Sequence, residues 1–283
     1  MSDQTTSSPP SNRPLDQQPE AWGAVAPDYH AFSANVTWTF AEDAARLVPI
    51  GEGTRVIDVA AGTGNFTFAA ARRGADVLAT DFSPGMIEYL RAEAEQRALS
   101  HRVHTAVMDG QQLDAADESF DVSGSIFGVL FYPDPDKGLR ELSRVLIPGG
   151  RAVVSTWAPP PRGEIGRIMA DAMAKAMPNM MPPAGSPAWA ALGEADAFRQ
   201  RLLNNGFARA HVVELRHVWV FDRLDSFVAL MAKAAPPAVA MSKAMTPEQR
   251  TRFRDAVVED FRSRQGEGPY ALTHEGMIAV GTK

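Results

Sequence analysis

The residues of this chain that could do chemistry sit at the ends of short apolar runs. The first run holds a carboxylate within it and closes on glycines: Val56-Ile57-Asp58-Val59-Ala60-Ala61-Gly62-Thr63-Gly64-Asn65. A ligand's polar groups come close to a backbone only where side chains are missing, and Gly62 and Gly64 leave that room. The helix expected next offers free N–H groups at its start. Asp58 lies in an otherwise apolar strand, where a carboxylate needs an ammonium group or loop amides as partners. The second run ends at Asp81, seventeen residues after Gly64, and an acid there can take both hydroxyls of a ribose. A dinucleotide fingerprint would want a third glycine at position 67; the residue is Thr67, which argues against NAD or FAD. Asp109 follows a β-branched run and could accept the exocyclic amine of an adenine, with Phe82 and Met86 packed on its flat face.

These residues need a frame that brings strand ends together. Short strands are expected over 55–60, 76–80, 102–107, 121–125 and 151–157, separated by helices over 66–73, 84–97 and 136–146. Ser83 and Pro84 make a helix start. Strands that alternate with helices imply parallel pairing through right-handed crossovers. Residues 50–157 are therefore expected to form a doubly wound α/β core, with ligands beyond the carboxyl ends of its strands. Before it, 22–48 reads as helix broken near Pro27 and Thr37. After it, 165–177, 195–204, 226–234 and 247–262 read as helices, and 211–221 and 270–282 as further strands, the last a candidate for antiparallel pairing. The chain is thus read as a disordered leader over 1–20 and a single domain over 21–283. That domain divides into the core, a helical cap inserted over 158–205, and C-terminal strands and helices over 206–283.

Four blocks in this order resemble the class I S-adenosylmethionine-dependent methyltransferases, particularly the small-molecule branch similar to the ubiquinone and menaquinone biosynthesis enzymes. Asp58 to Gly64 resembles the family's first motif, Asp81-Phe82-Ser83-Pro84-Gly85-Met86 its ribose block, and Met108-Asp109-Gly110-Gln111 with Phe120-Asp121 its adenine block. Leu142 to Ser155 resembles the helix and turn before strand five. The resemblance implies a mostly parallel, seven-stranded, Rossmann-like sheet, S-adenosyl-L-methionine as cofactor and a methyl acceptor as second substrate. It also implies cofactor contacts at Asp58, Ala60, Gly62, Gly64, Asn65, Asp81, Phe82, Met86, Asp109, Gly110, Gln111, Ser125 and Phe127. Sulfonium and acceptor should meet just past strand four, at Ser125, Ile126 and Phe127. Tyr29 and His30, in helices that cover the cofactor in related enzymes, are candidate contacts to cofactor or acceptor.

Composition narrows the rest. The chain has 283 residues, 45% hydrophobic, with a formal charge of −6, so a basic groove for nucleic acid is not expected. It has no cysteine, which excludes disulfides, thiolate zinc sites and cysteine nucleophiles. No histidine pair has zinc spacing, and no metal is expected. Ser123-Gly124-Ser125-Ile126-Phe127 lacks the Asn/Asp-Pro-Pro-aromatic block of amino methylases. Asp134 and Asp136 read as turn and N-cap residues. No apolar run is long enough to span a bilayer and no secretory signal is visible, so a cytoplasmic monomer or homodimer acting on a small molecule is expected. Met169, Met173 and Met177 recur on one helix face. With Met180, Met181 and Trp189 they are expected to wall the acceptor site, which favours an apolar or aromatic acceptor for C- or O-methylation. The competing readings are a protein that holds S-adenosylmethionine without transferring methyl, an RNA methyltransferase, and a nicotinamide oxidoreductase.

Overall fold

The computed structural model describes residues 13–158, 163–179 and 192–283. Seven strands form one sheet: β1 (Arg55–Val59), β2 (Asp76–Asp81), β3 (Val103–Val107), β4 (Phe120–Ile126), β5 (Leu146–Trp157), β6 (Arg209–Phe221) and β7 (Tyr270–Thr282). Their order is β3-β2-β1-β4-β5-β7-β6. The first five pair in parallel, and β7 runs antiparallel to both of its neighbours. The doubly wound α/β sheet expected from the alternation is the one observed. Its order reverses between β1 and β4, so the carboxyl ends of those two strands open a crevice for a ligand.

The sequence explains why β1 to β5 lie inside. Val56, Ile57, Val59, Val77, Ala79, Val122, Val153 and Val154 are all buried, as a parallel sheet covered on both faces requires. One layer comprises α2 (Trp38–Leu47), α3 (Asn65–Ala71) and α4 (Pro84–Gln96). The opposite layer comprises α5 (Pro135–Arg144) and α7 (Ala195–Asn204).

Several expectations are corrected. Helix α1 (Pro19–Val36) runs unbroken through Pro27 and ends only at Thr37. Pro27 is exposed, so its missing N–H costs little, while Trp22, Val25 and Ala26 just before it are anchored in packing. The leader read over 1–20 lies partly outside the described residues. Of the remainder, Leu15–Gln17 forms a 3-10 turn and Pro19 already begins α1. Strand β5 starts at Leu146 rather than 151, taking in the Pro148-Gly149-Gly150 segment.

The stretch 158–205 does not behave as one cap. Helix α7 packs on the sheet through Phe198 and Leu202. Helix α6 (Glu164–Ala176) instead joins α8 (Leu224–Met231) and α10 (Pro247–Gln265) over the outer ends of β6 and β7. There Ile168, Phe227, Val257, Phe261 and Leu272 share one cluster. The cap is thus assembled from two separated segments. An additional helix, α9 (Pro236–Ala244), packs on α1 through Ala235 and Val239.

Candidate cofactor site

The crevice holds a cavity of about 670 Å³, within the ordinary size of a small-molecule site. Its floor is the strand ends: Ala60, Gly62, Asp81, Phe82, Asp109, Gly110, Gln111 and Phe127 all line it. Met86 of α4 closes one side. Tyr29 and Trp22 of α1 close the top, together with Asp16 and Gln17 of the 3-10 turn. The turn is tied to the helix because the Trp22 indole N–H donates to the Asp16 carbonyl at 2.9 Å.

The glycine turn is built as its residue types demand. Gly62 has φ 55° and Gly64 φ 98°, and Ala60 also sits at positive φ, 56°. The face of Gly62 lies under the Tyr29 ring: a Cβ there would stand 3.3 Å from Cε1. Asp81 fixes the turn from the neighbouring strand. One carboxylate oxygen accepts the Gly62 N–H and the other the Ser83 N–H, each at 2.9 Å. Burial pushes the Asp81 carboxyl up to about 6, although these amides pull it down.

Asp58 lies deeper. Its partner is the Thr67 hydroxyl, which donates to it at 2.6 Å. The residue that replaces a third glycine is therefore the one that holds the buried carboxylate. Burial pushes Asp58 up to about 7. A second, very small cavity lies against it, lined by Tyr29, Ser33, Thr37, Ala60, Thr63 and Asn65 among others. The Asn65 amide donates to the Ser33 carbonyl at 3.1 Å and the Thr37 hydroxyl at 2.9 Å, which ties α3 to the lid.

The end of β4 is strained. Phe127 has φ 59°, an outlier for a bulky residue. Two contacts hold it: its N–H donates to the Ser155 hydroxyl at 2.9 Å, and its ring stacks on Trp157 with centroids 4.0 Å apart. Beside it, Ser125 Oγ and the Tyr132 hydroxyl are buried, with no partner close to them but each other. Burial raises the Tyr132 phenol far above its ordinary range, with Asp81 and Asp109 adding to it. Room for this side chain depends on Gly110, where a Cβ would fall 1.9 Å from the Tyr132 hydroxyl.

Of the residues singled out in the sequence, Asp58 and Asn65 line only the smaller cavity. Gly64 faces Phe68 and Leu90, not either cavity, and Ser125 lies beneath the floor. His30 is not brought to the cavity. Its ring packs 5.0 Å from Tyr89 and its Nε2 lies 3.6 Å from Glu93. Of the expected methionine wall, Met169 packs in the cap cluster, neither Met173 nor Met177 lines the cavity, and Met180, Met181 and Trp189 lie outside the described residues. Sequence reasoning missed Trp22, Phe131 and Tyr132, which supply the aromatic surface. Trp22 opens the stretch read as helix, and its local pattern carries no sign that it turns towards the crevice. Tyr132 stands in the turn just before Asp134, which does N-cap α5 by accepting the Lys137 N–H at 3.0 Å.

The site fits the expected cofactor on its own terms. A buried carboxylate at a strand end, a bare glycine backbone and aromatic walls make a suitable set for a ribosyl-adenine with an amino-acid tail. Comparison with known proteins agrees. Residues 57–154 match the family model described as a methyltransferase domain. An uncharacterized protein of Mycobacterium tuberculosis is 41% identical over 121 residues, covering 43% of this chain and 43% of that protein, so the match spans less than half of its length. The demethylmenaquinone methyltransferase of Mycobacterium sp. strain KMS is 36% identical over 189 residues, covering 66% of this chain and 79% of that enzyme. Among solved structures, the 4+2 cyclase SpnF superposes with a TM-score of 0.60 at 18% identity, covering 95% of this chain and 97% of the other; this likeness concerns the fold alone.

Proposed function

The chain belongs to the class I S-adenosylmethionine-dependent methyltransferases of the quinone-biosynthesis type, and we propose that it transfers a methyl group to a small, apolar or aromatic acceptor. The observation that carries this reading is the Asp81–Gly62 contact at the floor of an aromatic-walled cavity. When bound, S-adenosyl-L-methionine supplies an electrophilic methyl group on a sulfonium.

The chain's own residues would then hold and orient. Asp81 accepts the ribose hydroxyls through lone pairs its amide partners leave free. Asp109, Gly110 and Gln111 border the base, with Phe82 and Met86 on its face. Asp109 already accepts the Gln111 N–H at 2.8 Å, which sets the carboxylate in place. Tyr29, Ala60 and Gly62 face the amino-acid end, while Asn65 supports the turn from the smaller cavity beside it. Trp22, Phe127 and Phe131 exclude water from the acceptor and align it.

No histidine or lysine lines the cavity among the described residues, and burial pushes Tyr29 up to about 12. Of the carboxylates that line it, Asp81 and Asp109 are assigned to the cofactor, which leaves Asp16 of the 3-10 turn as the one free for the acceptor among the described residues, so a general base is scarce. This favours an acceptor that brings its own nucleophile, such as an ionised phenol or the electron-rich carbon of a hydroquinone. The demethylmenaquinone relatives fit that chemistry. The test is methyl transfer from labelled cofactor to quinols, polyketide phenols, sterol-like lipids and small amines. Turnover of an apolar phenol or quinol supports the reading, and labelling of small amines or RNA alone overturns it. A protein that binds the cofactor without transferring methyl is the second reading, favoured by the same scarcity of a base. It predicts binding with no product from any acceptor.

A further inference from the structure

Strand β6 is the edge of the sheet, thirteen residues long, and among the described residues it pairs only through β7. A long open edge with apolar side chains is a template for another strand. Val218 and Val220, 55% and 60% exposed, are among the few large apolar residues left in solvent. We infer that this edge pairs with β6 of a second copy of the chain, antiparallel about a two-fold axis at Leu215, to join two sheets into one.

The register follows from the residues. Arg209–Phe221 is centred on Leu215. Full-length antiparallel self-pairing therefore sets Glu214 opposite Arg216 of the second copy, and Arg216 opposite its Glu214. Val212 falls opposite Val218, and Ala210 opposite Val220. Opposite charges and apolar residues thus match along one face, the arrangement that stabilises neighbouring strands. Arg216 is available for this: its side chain is 68% exposed and reaches Glu275 only at 3.7 Å.

Coverage of the two faces has the same symmetry. On the face that carries Ala210 and Val212, α7 packs against the lower half of the strand. The upper half of that face, Val218 and Val220, is bare. On the opposite face the cap covers Trp219 and Phe221 in the upper half, while Arg209 and His211 in the lower half are exposed. The two-fold lays each bare half beside the covered half of the other copy. The second copy's α7 then comes alongside the exposed valines, and its cap alongside Arg209 and His211. Such an interface is isologous and closes at two copies, so the edge is consumed instead of nucleating a fibre.

The test is the solution mass of the full chain by light scattering, with two sets of variants. The wild type is expected at twice its 30.6 kDa chain mass. Glu214→Arg sets like charges opposite at both symmetry-related pairs and is expected to weaken dimerisation about tenfold or more. Glu214→Arg combined with Arg216→Glu restores the opposition with signs exchanged and is expected to recover the dimer. Because the chain has no cysteine, Val212→Cys with Val218→Cys reports the register: mild oxidation is expected to give a covalent dimer on a non-reducing gel. A wild-type monomer, a dimer indifferent to Glu214→Arg, or a dimer that the cysteine pair does not cross-link would each overturn the inference. Circular dichroism of every variant separates loss of pairing from loss of fold. None of these readouts depends on the cofactor or on methyl transfer.

Discussion

Asp81 and Asp58 show how two carboxylates in one crevice divide their tasks. Asp81 faces the cavity while clamping the glycine turn, so its loss acts on binding and on the turn together. Asp81→Ala is expected to weaken S-adenosylhomocysteine affinity several-fold or more, measured by calorimetry; unchanged affinity would show that the ribose lies elsewhere. Asp58 acts through pH. Both carboxyls are raised by burial above 3.8, to about 7 for Asp58 and about 6 for Asp81. A raised carboxyl binds its proton more tightly in the folded chain than in the unfolded one. Stability from this source is fullest near pH 4 and declines as pH rises through 7. The ligand-free Asp58→Asn variant is expected to lose less stability than the wild type across that window, read from urea melts at several pH values. Parallel pH profiles for the two proteins would refute the assignment. Gly110 gives a third case. A Cβ there would collide with the Tyr132 hydroxyl, so Gly110→Ala is expected to cost about 1–3 kcal/mol by overpacking and to lower the melting temperature. An unshifted melt would mean that Tyr132 is free to move.

At the scale of elements, what could be read from sequence was what local rules decide. The apolar strands ending in Asp58 and Asp81 and the glycine turn between them were legible because a parallel strand is apolar throughout and a bare turn needs glycine. The helix start at Pro84 was legible from proline, although the Ser83 hydroxyl donates to the Pro19 carbonyl instead of capping, and α5 was legible to within one residue, with Asp134 as its cap. Elements whose placement depends on distant contacts were not. Pro27 looked like a break because the packing of Trp22 and Val25 that carries α1 through it is tertiary. Helix α6 looked like a wall for the acceptor because of its methionine stripe; Met169 of that stripe packs instead in the cluster shared with α10, far along the chain. The lid was hidden for the same reason, since Gln17 and Trp22 reach the cavity only once the 3-10 turn is folded onto α1. Trp22→Phe would keep the apolar ring and remove the indole N–H bond to Asp16. It is expected to speed limited proteolysis around residues 15–18, and to speed it less when S-adenosylhomocysteine is present. A cleavage rate equal to that of the wild type would show that the bond does not hold the turn.

At the scale of the molecule, the fold divides labour along the sheet. The β1–β4 reversal makes the crevice, the N-terminal helices roof it, and the extended β6–β7 ribbon carries a composite cap above the same edge. Donor chemistry belongs to the first of these and was visible in sequence as spaced carboxylates and glycines. On the proposed function, acceptor chemistry belongs to the lid and walls, where Trp22 comes from α1 and Phe127 and Phe131 from the turn after β4, and no local pattern announces such a meeting. The central claim is that the crevice is an S-adenosylmethionine site and not a nicotinamide site. Titration calorimetry of the full chain with S-adenosylhomocysteine, and separately with NADH, tests it most directly. One molecule of S-adenosylhomocysteine is expected to bind per chain, with no heat of binding from NADH; binding of NADH with none of S-adenosylhomocysteine would overturn the assignment.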